Sequence, residues 1–202
     1  VMLMIRKQLL SHRQIIHSGS GLRLPSLSIL GISFICMVVF MSEGCILDWS
    51  AIYLKESLHV PKQLMTLGFI GFSIAMTIGR LNGDNIISRF GNRKVVITGM
   101  LIASLGFIIV VLANSLVLVV AGFTLAGIGC SCVVPVLFST AARIPGVTPV
   151  EGFAMVTTGG LLGFLTGPPI IGFISEWKNL STGLSLLILL TLLGAYTAWK
   201  NQ

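Results

Sequence analysis

Apolar residues in this chain come in long uncharged runs separated by short polar clusters. A helix that spans a bilayer needs roughly 20 such residues. The pattern predicts six spans, at about 27–54, 63–84, 95–113, 116–138, 152–175 and 180–199. The first is longer than a bilayer requires. The second is uncharged from Gln63 to Gly79 and extends toward Asp84. The uncharged stretch 95–142 is long enough for two helices, and Asn114-Ser115 marks the turn between them. Within these runs, Gly159, Gly163 and Gly167 recur every four positions, and Gly122, Ala126 and Cys130 follow a similar spacing. Small faces of this kind let helices approach closely in lipid. Gly167-Pro168-Pro169 removes two backbone donors inside the fifth span, which predicts a kink or break there; Pro135 predicts a bend in the fourth.

Composition supports a membrane protein. Hydrophobic residues make up 54% and charged residues only 9%, against about a quarter charged in a soluble domain. The net charge of +7 would suggest nucleic acid in a soluble protein. Here the basic residues flank apolar runs, so membrane orientation is the simpler reading and no nucleic-acid partner is expected. With residues 1–24 placed inside, the inner segments hold Arg6, Lys7, Arg13, Arg23, Arg80, Arg89, Arg93, Lys94, Arg143 and Lys200. The outer segments hold Lys55, Lys62 and Lys178. Both ends are therefore expected in the cytoplasm. Trp49, Tyr53 and Trp177 then fall at the outer surface and Trp199 at the inner one, where interfacial aromatics sit.

Residues 1–24 read as a basic, flexible linker, with Val1–Ile5 either the last turn of a preceding helix or a short apolar tail. No signal peptide is visible, since Val1–Ile5 is too short for its apolar core. The valine at position 1 points to a longer protein. Cys36, Cys45, Cys130 and Cys132 lie in apolar surroundings without a Cys-x-x-Cys pair, and read as small core residues rather than a metal or redox set. No metal or other cofactor is expected.

The one dense charged segment inside the apolar sequence is Gly79-Arg80-Leu81-Asn82-Gly83-Asp84-Asn85-Ile86-Ile87-Ser88-Arg89-Phe90-Gly91-Asn92-Arg93-Lys94. It reads as a tight cytoplasmic turn between membrane helices. Gly83 permits close helix contact. Asp84 is placed to pair with a guanidinium or to sit against a helix N-terminus. Arg89 and Arg93 are placed to reach carboxylates or last-turn carbonyls of neighbouring helices. Such contacts form in one conformation and break in another, so Gly79, Arg80, Gly83, Asp84, Arg89, Gly91 and Arg93 read as a cytoplasmic gate. Lys94 reads as an orienting charge.

The segment Gly79-Arg80-x-x-Gly83-Asp84-x4-Arg89-x-Gly91-x-Arg93-Lys94 resembles the loop motif of the major facilitator superfamily. That motif joins the second and third helices and recurs between the eighth and ninth. It departs from the tightest form in the four residues between Asp84 and Arg89. Glu43-Gly44-x3-Asp48-Trp49-Ser50-x2-Tyr53-Leu54, Val133-Val134-Pro135-Val136-Leu137-Phe138-Ser139 and Gly163-x3-Gly167-Pro168-Pro169-x2-Gly172 resemble the seventh, tenth and eleventh helices of the fucose-permease and rhizopine-permease branch. The resemblance implies an all-α membrane protein, the C-terminal bundle of helices seven to twelve in a secondary transporter. It implies a bacterial inner membrane, an N-terminal six-helix half as partner, and a small, polar, sugar-like solute carried with protons.

Two acids lie inside the first span. Intramembrane acids are costly and by default suggest a functional pathway. Glu43 and Asp48 are expected in its outer half, roughly 140° apart around the helix. Glu43 is assigned to the central cavity, as proton carrier or hydrogen-bond acceptor, because burial favours a protonated carboxyl. Asp48 is expected either there or paired with Lys55. Trp49 and Tyr53 are the aromatic candidates, for stacking on a solute or for the interfacial belt.

Enzyme chemistry is excluded by position. Gly129-Cys130-Ser131-Cys132 has the Gly-x-Ser context of an intramembrane serine protease, but such a serine needs a histidine on a later helix. His12, His17 and His59 all precede it. Two alternatives stay open: drug or metabolite efflux by the same fold, and a six-helix scaffold or oligomeric channel without a transport cycle.

Overall fold

A computed structural model describes residues 27–200. The expected linker, with Arg6, Lys7, Arg13 and Arg23, lies outside the described residues. All described regular structure is helical: α1 (Leu27–Leu58), a 3-10 turn (Lys62–Leu64), α2 (Leu67–Leu81), α3 (Gly83–Phe90), α4 (Asn92–Leu112), α5 (Leu116–Ser131), α6 (Val133–Ala141), α7 (Pro149–Trp177) and α8 (Leu180–Lys200). These make six helices long and apolar enough to cross a membrane: Ser28–Leu58, Lys62–Leu81, Asn92–Leu112, Leu116–Ala141, Pro149–Trp177 and Leu180–Lys200.

Local chemistry sets the ends. Ser115 caps α5 by accepting from the Leu118 N–H. Thr148 and Glu151 form a reciprocal capping box on α7, with Pro149 at the first helical position, where its missing donor costs nothing. Gly91 turns the chain between α3 and α4 at φ 79°, a conformation that glycine adopts without strain.

Glycines decide which helices meet. Along α7, Gly159, Gly163 and Gly167 rest on Ser33, Met37 and Met41 of α1. The matching order makes α1 and α7 parallel, and theirs is the most extensive packing in the bundle. Gly99 faces Gly129 and Gly106 faces Gly122, so α4 and α5 run antiparallel at backbone contact. Between and behind these seams lies a core of Phe72, Met100, Phe107, Phe123, Leu184 and Leu187.

Tyr53 belongs to this core. It is 2% exposed; its hydroxyl donates to the Val110 carbonyl at 2.8 Å and accepts from the Ser181 hydroxyl at 3.4 Å. Its ring stands edge-on to Phe123. This corrects the expectation of a pathway or interfacial tyrosine: α1 is rotated so that Tyr53 points at α4, α5 and α8.

The proline pair of α7 behaves differently from expectation. Helix α7 runs uninterrupted through Pro168-Pro169. Its seam with α1 continues on both sides of the pair. The Phe164 carbonyl, which Pro168 leaves without its helical donor, faces Gly44, and the Pro168 carbonyl accepts from the Trp49 indole at 3.0 Å. Interruptions occur instead at Asn82, between α2 and α3, and at Cys132, between α5 and α6. Pro135 sits in the first turn of α6, one helical hydrogen bond beyond the end of α5.

Candidate functional site

The two interruptions lie side by side. The Cys132 thiol donates to the Gly79 carbonyl at 3.4 Å, Gly79 packs on the Ser131 side chain, and Gly83 opens toward the Cys132 sulfur. Next to Gly79, Arg80 reaches across to α1. Its Nη2 lies 3.7 Å from the Glu43 Oε2, the only ion pair within 4.0 Å among the described residues. Both side chains remain partly exposed, Arg80 at 44% and Glu43 at 32%. Neither makes a further hydrogen bond among the described residues, so several guanidinium donors stay available.

Glu43 therefore stands at the middle of the 32-residue α1, not in its outer half. Arg80 is in the last turn of α2 rather than in a loop. The signal was present in the chain: at about 1.5 Å per residue from the shared turn near 59–61, the end of α2 comes level with residues near 40 of α1.

The rest of the charged segment is also more helical than a tight turn. Gly83, Asp84 and Arg89 lie on α3, only Asn82 and Gly91 of the segment are non-helical, and Arg93 is in the first turn of α4. Asp84 sits in the first turn of α3, favourable for a carboxylate at a helix N-terminus, and makes no ion pair among the described residues. Arg89 lies over the Phe90 ring, 5.6 Å from its centroid. Arg93 donates to the Trp199 carbonyl at 2.7 Å, joining the start of α4 to the end of α8.

One helical turn outward from Glu43, Asp48 opens into a cleft of about 420 Å³ between α1 and α7, walled by Trp49, Ile52, Phe164 and Pro168. It is not within ion-pair distance of Lys55. Trp49 also borders a second cleft of about 540 Å³ farther out, with Glu56, Ser57, Glu176, Lys178 and Asn179. Trp49 is tied to α7 by its indole bond, so its ring is positioned by the bundle rather than by an interface. No described cluster of three or more His, Cys, Asp or Glu side chains is placed to hold a metal, and all four cysteines are buried free thiols. Sequence reasoning missed Asn82 as an interruption and Phe164 as a cleft wall; the interruption at Cys132 falls in the fourth span, where Pro135 predicted a bend.

Six apolar helices joined by glycine seams, with an ion pair between the middle of α1 and the last turn of α2, define a polytopic integral membrane protein. The chain belongs to the Major Facilitator Superfamily, whose profile matches residues 32–200. It is 40% identical over 183 residues to an uncharacterized MFS-type transporter of Yersinia pestis, covering 90% of this chain and 47% of that one. It is 36% identical over 157 residues to the membrane protein MosC of Rhizobium meliloti, covering 78% of this chain and 38% of that one. The chain thus spans about half the length, or less, of these relatives. A crystal structure of a peptide transporter POT mutant with sulfate shares the fold at TM-score 0.75 and 18% identity, over 85% of this chain and 37% of that one. An auto-inhibited POT family transporter follows at TM-score 0.70, 16% identity, and coverage of 86% and 37%. Family and fold are those of a membrane transporter, not of an enzyme.

Proposed function

We propose that these helices form the C-terminal half of a secondary transporter that moves a small polar organic solute, coupled to protons, across a bacterial inner membrane. The N-terminal six-helix half, on the same or a separate chain, closes the cavity, and both ends of this chain face the cytoplasm. One observation carries the reading: the partly exposed Glu43–Arg80 pair, set between the middle of α1 and the last turn of α2, beside two helix interruptions. Intramembrane charges mark solute and ion pathways, and broken helices at membrane depth accompany alternating access. Protonation of Glu43 releases Arg80, whose free donors then serve the solute. The sugar-like solute class rests on the sequence resemblance. The test is uptake into membrane vesicles under an imposed pH gradient. Glu43→Gln abolishes gradient-driven accumulation; unchanged accumulation with unchanged pH dependence overturns the role of Glu43.

A further inference from the structure

We propose that the α1–α7 cleft at Asp48 is a binding subsite for an organic cation, an amine or quaternary ammonium carrying apolar substituents. The proposal rests on the transport reading and replaces its sugar-like solute, which the sequence resemblance alone supports, with a cationic one.

Glu43 and Arg80 pair at 3.7 Å and offset each other. Asp48, one turn outward and exposed, has no ion-pair or hydrogen-bond partner among the described residues. It is the only charged side chain lining a cleft of about 420 Å³. A carboxylate in a cleft walled by apolar side chains attracts an incoming cation more than one in open water does, because the walls displace part of the screening solvent. It repels an anion for the same reason.

The walls narrow the class further. Trp49, Ile52, Phe164 and Pro168 present flat apolar and aromatic surface. The indole N–H of Trp49 is already committed to the Pro168 carbonyl at 3.0 Å. Its ring is thereby held in place, and its face supplies the cation–π attraction that substituted ammonium groups favour. A polyol needs several donors and acceptors to replace its lost water; Asp48 is the only side chain in this cleft with polar groups to spare. The neighbouring outer cleft, which shares Trp49, carries Glu56 and Glu176 against Lys178. An acidic approach therefore leads to an acidic subsite.

The test is equilibrium binding of labelled tetraethylammonium to the purified native protein in lipid nanodiscs, with methyl glucoside as neutral competitor. The expected result is saturable binding that excess methyl glucoside does not displace. Asp48→Asn weakens it on the order of tenfold or more, and Asp48→Glu retains it. Ile52→Lys is an independent arm, because position 52 is exposed on the same wall; its ammonium abolishes binding. Absence of saturable binding, equal affinity in Ile52→Lys, or displacement by methyl glucoside overturns the proposal. Vesicle flux separates the two readings. Asp48-dependent binding without flux of any solute overturns transport and leaves the subsite standing. Accumulation of a neutral solute by a protein that shows no saturable tetraethylammonium binding overturns the subsite and leaves transport standing.

Discussion

The Cys132 thiol meets the Gly79 carbonyl at 3.4 Å, and this contact joins the interruption that ends α5 to the last turn of α2. A Cβ at position 79 would collide with the Ser131 side chain, which occupies the space over Gly79. Gly79→Ala is therefore expected to lower stability by about 1–3 kcal/mol, the usual cost of overpacking. Ser131→Gly in the same chain should restore most of it. Thermal unfolding in detergent of both single variants and the pair checks this; purely additive effects would mean that the two residues do not share the space.

The α1–α7 seam leaves less room for repair. Gly163 lies directly on the Met37 backbone carbonyl, so no side-chain change relieves a new Cβ. Gly163→Val is expected to prevent the close approach and to yield aggregated or markedly less thermostable protein. Size-exclusion profiles and melting in detergent provide the readout, with Leu162→Val as a control at an exposed position of the same helix.

Tyr53→Phe keeps the buried ring and deletes a hydroxyl bonded to the Val110 carbonyl. The expected loss is about 0.5–1.5 kcal/mol of stability, with solute affinity unchanged. A large affinity change at equal stability would return Tyr53 to the solute pathway.

Arg93 places a guanidinium on the C-terminal carbonyls of α8, where a cation is favourable. Arg93→Ala should destabilise by a few tenths of a kcal/mol, because the site is exposed and screened. The difference should shrink at high salt, which a melting series in sodium chloride would reveal.

Glu43 and Arg80 form a stability pair as well as a proposed solute site. Glu43→Gln or Arg80→Gln alone leaves the other charge without its partner between α1 and α2. Each single variant should therefore melt lower than the double variant, since a stranded charge costs more than a neutral pair. A double variant that melts lower than both would contradict this.

Much of the architecture was legible along the chain. Hydropathy marked each of the six spans, because spanning length is imposed by the bilayer and counted locally. The turn near Asn114-Ser115 was marked by its polar residues, whereas the capping box that starts α7 three residues ahead of the expected span was not read. The glycine spacing on α7 announced a close seam, although not that Ser33, Met37 and Met41 would receive it.

Partnerships were decided only by tertiary structure. Glu43 and Arg80 are separated in sequence by the outer turn, and their meeting depends on the relative depth of two antiparallel helices. Asp48 and Tyr53, five residues apart, receive opposite fates, an open cleft and a sealed core, because the rotation of α1 is set by its packing on α7 and α8. Two prolines that remove donors leave α7 continuous, because its α1 seam holds it on both sides of them. A chain displays which groups need partners and how far each helix reaches. Which group answers that need depends on the depth and rotation that neighbouring helices impose on one another.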